Sequence, residues 1–371
     1  MDTHPSRLTS PRYTFPDGLR GMAALWVVLF HLSEGHHIDT LRRMLPRVVV
    51  EVVFDWGDRG VAVFFVLSGF VMALTARRIL FTGNVAARFV ARRLVRLVPP
   101  YYVAVAISLA VLAVKSHSGQ GVPPVSIGQL LAHAAFLQDV LGIRHLNPVY
   151  WTLCIEVQFY GAFALLMALA DAMSRRGWRH ARLACDLGMA IVVLAWPAGV
   201  LQTPGWPGSF LPYFALFMAG ALVSQAGEAG ARRWLGFAFA IGLTSLGVAR
   251  SDPFAVTGGV TAAALGLATQ AGAMGTWMSA RPWQWLGSIS YSLYLVHNPA
   301  TGATNRLVAR WLPAGGASAE LLGAAASIAV SLMVAWALWA VVERPSIRAS
   351  HRVSLAPAQD LTSFAPSQAR S

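Results

Sequence analysis

The sequence has few charged residues, only two cysteines and a single lysine. Of its 371 residues 12% are charged and 56% hydrophobic, a balance that excludes an ordinary soluble domain and is typical of polytopic membrane proteins. Cys154 and Cys185 lie in separate apolar segments without a Cys-x-x-Cys pattern, so neither a metal site nor a structural disulfide is expected. The net charge of +13 comes from 28 arginines and Lys115, which lie between apolar runs; no nucleic-acid partner is expected.

The sequence also lacks the short motifs of several common enzyme classes. It has no Gly-x-Ser-x-Gly elbow, no Walker loop, no His-Glu-x-x-His and no His-x4-Asp of the soluble glycerolipid acyltransferases. No cleavable signal peptide is evident, because a polar stretch with arginines precedes the first apolar run and no small-residue cleavage site follows it. Any chemistry must therefore come from polar residues inside the apolar segments.

Ten apolar segments are each close to the roughly 20 residues that a transmembrane helix needs. They lie at 18–35, 59–76, 97–115, 149–170, 185–201, 209–226, 233–249, 255–274, 284–303 and 320–343. The sequence therefore predicts an all-α integral membrane protein, a bundle of about ten transmembrane helices. Residues 127–141 are shorter and more polar, and we interpret them as a surface or re-entrant helix, with an eleventh span as the alternative.

The basic residues orient this topology. With the N-terminus in the cytoplasm, 20 of the 29 Lys and Arg residues fall on the inner side and 9 on the outer side, and an eleventh span breaks this bias. Both termini are therefore predicted to be cytoplasmic. The predicted units are a polar segment at 1–16, a membrane domain at 17–346 and a disordered tail at 347–371, in a multi-pass protein of a bacterial inner membrane.

Residues 18–31 of the first span contain two ionisable residues, Arg20 and His31, in an otherwise apolar stretch. Eleven residues are about three turns, so both side chains leave the same face roughly 16 Å apart along the axis. Ionisable groups in a transmembrane helix are costly and indicate function. The alternative is that Arg20 snorkels to the interface and His31 is hydrogen-bonded inside the bundle. This stretch alone leaves both interpretations open.

In the predicted topology His31, Glu156 and His297 fall at a similar depth, in the outer half of the membrane. Two histidines and a carboxylate at one level indicate a site that moves protons. Glu156 is then expected to orient a histidine and raise its basicity, or to help bind an acceptor. The alternatives are an interface anchor for His297 and an ion pair with a buried arginine for Glu156.

On the inner side the third span opens with an arginine cluster followed by Pro99 and Pro100. Two prolines are expected to weaken the helix and free backbone groups to line a cavity, beside which arginines can hold phosphates through charge-assisted bonds. Plain positive-inside anchoring is the alternative for these arginines. The arginine cluster consists of Arg88, Arg92, Arg93 and Arg96.

Two other segments have structural interpretations. Leu67-Ser-Gly-Phe70 is expected to serve close helix packing, and Pro345 to end the last helix.

Six pieces of the sequence, in order along residues 12–348, resemble the membrane-bound acyltransferase family 3, integral-membrane O-acyltransferases of surface carbohydrates. The pieces are Asp17-Gly-Leu-Arg-Gly-Met-Ala-Ala-Leu with His31, Gly60-Val-Ala-Val-Phe-Phe-Val-Leu-Ser-Gly-Phe70, Arg92-Arg-Leu-Val-Arg96 with Pro99 and Tyr101, Tyr150-Trp-Thr-Leu-Cys-Ile-Glu156 with Phe159-Tyr160, Ser290-Tyr-Ser-Leu-Tyr-Leu-Val-His297, and Glu343-Arg-Pro345. The resemblance implies ten helices, a cytoplasmic acyl-CoA donor, an acceptor hydroxyl outside and an essential Arg-x10-His motif at Arg20 and His31. Because the chain ends 26 residues after Pro345, a stand-alone form without an SGNH domain is expected.

These observations predict transfer of an acyl group, most simply acetyl, from acyl-CoA to a hydroxyl of a carbohydrate or glycan. His31 is the predicted general base, and Arg20 and Glu156 complete the catalytic set. The predicted donor-binding residues are Arg92, Arg93, Arg96 and Tyr101, and the predicted acceptor-binding residues are Trp151, Tyr291, Tyr294 and His297. Direct transfer and an acyl-histidine intermediate both stay open. The alternative functions are a proton-coupled transporter or flippase, which the lack of an internal repeat disfavours, and a membrane sensor.

Overall fold

The computed structural model describes residues 13–77, 79–119, 123–201, 209–228, 232–312 and 316–355, and all regular structure in them is helical. The α-helices are α1 (Thr14–Glu34), α2 (Asp39–Met44), α3 (Arg47–Val49), α4 (Gly60–Ala76), α5 (Gly83–His117), α6 (Ile127–Ala134), α7 (Trp151–Arg175), α8 (Ala181–Leu194), α9 (Phe214–Val223), α10 (Arg232–Arg250), α11 (Pro253–Gln270), α12 (Arg281–Trp311), α13 (Ala317–Leu338) and α14 (Arg344–Ser350). Short π-helical turns at Val50–Phe54 and Trp339–Glu343 precede a 3-10 turn and α14, respectively.

Four helical stretches are long and apolar enough to cross a membrane: Arg47–Ala76, Gly83–His117, Pro148–Arg175 and Ala317–Ser350. The chain is therefore an all-helical membrane protein. Each of the ten predicted spans overlaps a helix, although α8 and α9 cover only part of theirs, and the number of ten crossings and the sides of the termini stay predictions. Helices α1 and α12 are less apolar than the four because polar side chains, among them Arg20 and His297, interrupt them.

Three sequence expectations about helix ends need correction. Helix α5 runs without a break through Pro99 and Pro100, because it packs along α7, α12 and α14 over its length. The last span continues past Pro345 into α14, since a proline in the first turn of a helix needs no amide donor. The polar tail thus begins after α14 rather than at 347, and residues 1–12 and 356–371 lie outside the described residues.

Helix α6 has eight residues, about 12 Å of rise, and is too short for an eleventh span. The segment around it folds into the bundle instead of lying on its surface. His133, Phe136, Gln138 and Leu146 are all buried. The 127–147 segment is therefore part of the packed bundle beside the start of α7, where the ring of His133 lies 6.4 Å from that of Tyr150.

Helices α1 and α12 run parallel and are in backbone contact. A Cβ atom built on Gly287 would lie 2.2 Å from the carbonyl oxygen of Asp17, and one on Gly21 would lie 2.7 Å from the backbone nitrogen of Gly287. Further along the same two helices His31 meets His297, with ring centroids 4.9 Å apart. Only glycine allows this approach, so the glycines set the distance at which the two histidines face each other.

A second glycine contact joins α4 to α9, as predicted for the Leu67–Phe70 stretch. A Cβ atom on Gly69 would lie 1.9 Å from the carbonyl oxygen of Phe217. Helix α4 runs antiparallel to α1, because Gly57 lies beside Trp26 and Gly60 beside Ala23. These directions define two ends of the bundle, which we call the arginine end, at Arg20, and the histidine end, at His31.

Candidate active site

A central cavity lies between α1, α4, α5, α7 and α12. It has about 880 Å³ of empty space, counted with its open mouth. Its ionisable lining consists of three arginines, Arg20, Arg93 and Arg96, and one carboxylate, Glu156. The other polar residues that line it are Ser68, Thr152, Tyr160, Tyr291 and Tyr294. The cavity is therefore net positive and suited to an anionic ligand.

Helix periodicity explains which arginines reach this cavity. On α5 the buried stripe includes Val85, Phe89, Leu97 and Tyr101, and Arg93 falls on the same stripe at four-residue spacing. Arg96 lies three residues beyond Arg93 and shares its face. The guanidinium carbon of Arg93 lies 5.6 Å from the ring centroid of Phe89 and 6.0 Å from that of Tyr160.

Arg92 points away from the cavity, contrary to its predicted donor-binding role. Its guanidinium lies 2.6 Å from Nδ1 of His351, just after α14. Burial, Arg92 and Arg96 together lower the pKa of His351 below its usual value. Arg92 therefore connects α5 to the end of α14 and is not among the residues that line the cavity.

Arg20 and Arg96 form no hydrogen bond or ion pair with any described residue. Asp17, Glu343 and Glu156 act on Arg20 only through longer-range electrostatics. Both arginines are half-buried, a guanidinium in such a place without a fixed partner is costly, and an anion bound in the cavity would supply the missing acceptors. The arginine end of the cavity thus has the chemistry of a phosphate or thioester-carbonyl site.

Glu156 lines the cavity with Arg20, Arg93 and Arg96, and neither of its hydrogen bonds goes to a histidine. Its Oε1 atom accepts hydrogen bonds from Ser68 at 3.1 Å and from Tyr160 at 2.5 Å. One turn earlier on α7, Thr152 donates to the hydroxyl of Tyr294 at 2.8 Å. The predicted role of Glu156 in orienting a histidine therefore has no contact behind it, whereas a role in binding a ligand of the cavity stays a prediction.

The hydrogen bonds of His31 define which of its ring nitrogens is basic. Nδ1 lies 3.0 Å from the carbonyl oxygen of Val27 and 3.4 Å from Nε2 of His297. In His297, Nδ1 faces the carbonyl oxygens of Leu293 and Tyr294, so it carries the hydrogen and Nε2 is an acceptor. Both neighbours of His31 Nδ1 are then acceptors. Nδ1 therefore carries the hydrogen, and Nε2 keeps a free lone pair.

A carboxylate that the sequence analysis did not select stands next to this lone pair. Oε2 of Glu34 lies 3.6 Å from Nε2 of His31. The His31 side chain is 13% exposed, enough for a proton donor to reach it, and Glu34 is 59% exposed. A carboxylate at this distance would stabilise a positive charge on the His31 ring.

The remaining predicted residues divide between the cavity and its surroundings. Tyr291 lines the cavity and donates to the carbonyl of Leu97 at 2.9 Å. Tyr294 lines it too and donates to the carbonyl of Val149. Tyr101 is fully buried and stacks on Phe136, and Trp151 packs against Tyr213; neither is among the residues that line the cavity.

The structure adds polar residues that the sequence analysis did not select. Ser68 and Tyr160 hold Glu156, and Tyr160 could have been found from its position four residues after Glu156 on one helix. Buried Glu343 accepts from the backbone and side chain of Ser292 and ties the end of α13 to α12. Among the described residues no group of His, Cys, Asp and Glu side chains is placed to hold a metal ion.

Comparisons with known proteins match this chain to acyltransferases. The acyltransferase 3 family model, described as an acyltransferase domain, matches residues 13–340. Acyltransferase MdmB of Streptomyces mycarofaciens is 26% identical over 366 residues, covering 89% of this chain and 90% of that protein. YrhL of Bacillus subtilis (strain 168), provisionally named a peptidoglycan O-acetyltransferase, is 26% identical over 327 residues, covering 76% of this chain but only 48% of YrhL. No solved structure matches.

Proposed function

Because the chain belongs to the acyltransferase 3 family and is an acyltransferase, we propose that it transfers an acyl group, most simply acetyl, from acyl-CoA to a hydroxyl of a carbohydrate acceptor. The observation that supports this most is the pairing of two features on α1. Arg20 faces a cationic cavity without a fixed partner, and His31 presents a free basic nitrogen at the other end of the same helix.

The arginine end fits the phosphates of the donor. Arg20, Arg93 and Arg96 supply three guanidinium groups against one carboxylate, and Glu156 is already occupied by Ser68 and Tyr160. Along α1 the rise from Arg20 to His31 is roughly 16 Å. The pantetheine arm of CoA is long enough in principle to cross this distance. The thioester carbonyl would then come within reach of the histidine.

His31 would act as the general base. The acceptor hydroxyl gives its proton to Nε2 of His31 while its oxygen attacks the thioester carbonyl. The C–S bond then breaks, the CoA sulfur takes the proton from the imidazolium, and CoA leaves as the thiol. In the alternative order His31 attacks the thioester first and passes the acyl group to the acceptor. Trapping an acetyl-histidine by mass spectrometry after mixing with acetyl-CoA alone would select the second order.

A binding experiment tests the donor site. We expect purified protein in detergent to bind CoA in calorimetry, and an Arg93→Gln/Arg96→Gln variant to bind it about 100-fold more weakly, since hydrogen bonds to charged groups contribute about 1.5–3 kcal/mol each. Arg92→Gln is the matched control, because Arg92 belongs to the same cluster and points elsewhere.

The results of this binding experiment distinguish a wrong phosphate site from a wrong donor. Equal loss of affinity in the Arg92→Gln control would move the phosphate site out of the cavity. A wild-type protein that melts cooperatively yet binds no CoA would contradict the donor assignment and favour the transporter alternative.

A further inference from the structure

A second cavity opens at the histidine end of the bundle, between α5, α12 and the turn that precedes α7. It holds about 450 Å³ of empty space, counted with its mouth. Its charged lining consists of Lys115 and Arg306, and its polar lining of Ser108, Asn147 and Asn298. None of these five residues lines the central cavity that holds Arg20, Arg93 and Arg96.

The two cavities use the same two helices at opposite ends. On α5, Lys115 lies 19 residues beyond Arg96, roughly 28 Å along the axis. On α12, Arg306 lies 15 residues beyond Tyr291, roughly 22 Å further in the same direction. The second cavity is therefore a separate site, on the side of His31 and away from the proposed donor phosphates.

The cations of this cavity have no anion to neutralise them. Neither Lys115 nor Arg306 forms an ion pair or hydrogen bond with a described residue, and no carboxylate lines the cavity. The charge of Arg306 adds to burial in lowering the pKa of nearby His37. The two cations repel each other, and an anion bound between them would be attracted to both. In the predicted topology they also stand on the outer side, where cations are disfavoured.

We propose that Lys115 and Arg306 bind an acidic group of the acceptor, a carboxylate or a phosphate, so that the enzyme acts on acidic glycans. This rests on the proposed function, because it takes the histidine end as the acceptor side. Asn298, next to His297, is placed to bond hydroxyl groups of the same molecule. An anionic lipid headgroup has the same chemistry and is the other source that a test must separate.

The test compares small sugars with and without an acidic group. In nanodiscs of zwitterionic lipid, we expect wild-type protein to bind methyl glucuronide and glucose 1-phosphate more tightly than methyl glucoside. Lys115→Gln/Arg306→Gln should weaken the binding of both anions about tenfold and leave the glucoside unchanged. Arg310→Gln, one turn beyond Arg306 on α12, is the matched control and should bind like wild type.

Parallel measurements separate this proposal from the donor assignment. CoA binding should be unchanged in the Lys115→Gln/Arg306→Gln variant. If Arg96→Gln loses the binding of the acidic sugars instead, these sugars bind in the central cavity and the proposal is overturned. Equal affinity for the anions and the glucoside would overturn it as well, whether or not CoA binds. Displacement of the probes when phosphatidylglycerol replaces the zwitterionic lipid would assign the site to a lipid headgroup and contradict the acceptor role.

Discussion

At the scale of single residues, the chemistry depends on how His31 is held. Its Nδ1–H is directed at Val27 and His297, which leaves Nε2 as the basic atom beside Glu34. We expect His31→Ala to lower kcat of acetyl transfer by about 10²- to 10⁴-fold, the usual contribution of a general base, and to leave CoA affinity unchanged. Radiolabelled transfer and calorimetry measure the two quantities. His36→Ala is the control, since His36 pairs only with Asp39 at the surface; full activity of His31→Ala would contradict both versions of the mechanism.

His297, predicted from the sequence to bind the acceptor, contacts His31 in the structure, and we expect it to act as a positioning residue. It is completely buried, and its Nε2 accepts from His31. We expect His297→Ala to lower kcat about tenfold through the loss of one hydrogen bond, with the KM for CoA unchanged. His297→Gln should recover part of the rate, because an amide oxygen can accept the same hydrogen. A rise in the KM for CoA without a change in kcat would instead make His297 a ligand-binding residue.

The sequence identified the residue types of the site better than their positions. Arg20, Arg93 and Arg96 do share one cavity, and Arg92 does not, because the arginines lie within a helix and its phase separates neighbours by about 100°. Glu156 lies with the arginines rather than with the histidines because the packing of α1, α5 and α7 decides which of their residues share a cavity, and local sequence does not encode that packing.

At the scale of helices, glycine contacts align the site. The close approach of α1 and α12 at Gly21 and Gly287 fixes the level at which His31 meets His297. We expect Gly287→Ala to cost about 1–3 kcal/mol of stability, since the added methyl would overlap the backbone of Asp17. Thermal unfolding in detergent measures this as a lower midpoint. Gly161→Ala on α7 is the control, because a Cβ there meets open space; equal midpoints for the two variants would show that the α1–α12 contact relaxes freely.

The positions of the helices followed from apolar segments alone, whereas their ends did not. Each predicted span overlaps a helix, yet α5 begins at Gly83, 14 residues before the predicted span. An apolar window records the part of a helix that meets lipid. It does not detect a polar extension such as residues 83–96 of α5, and this extension carries Arg93 and Arg96, which line the cavity.

At the scale of the whole molecule, the two helices that carry the histidines lie deeper in the bundle than the most apolar helices. The most apolar windows of α5 and of the stretch that begins at Ala317 are only 28% and 22% buried, so these helices lie at the periphery, although one face of α5 carries Arg93 and Arg96 into the cavity. Helices α1 and α12 carry Arg20, His31 and His297 inside the bundle, and neither is among the four stretches that are long and apolar enough to cross a membrane, although the sequence predicts a span in each. Interior helices can hold polar residues because other helices, rather than lipid, surround them.

The proposed reaction requires that the two ends of the bundle face opposite sides of the membrane, and α5 offers a direct measure. Gly83 begins this helix at the arginine end, and Ser118 follows it at the histidine end, both exposed. In a Cys185→Ser background, where buried Cys154 is the internal control, we expect Ser118→Cys to react with a membrane-impermeant maleimide in intact spheroplasts. Gly83→Cys should react only after permeabilisation, because the arginine-rich end is predicted to lie in the cytoplasm. The reverse labelling would put His31 and Arg306 inside the cell, and an acceptor outside would then be impossible.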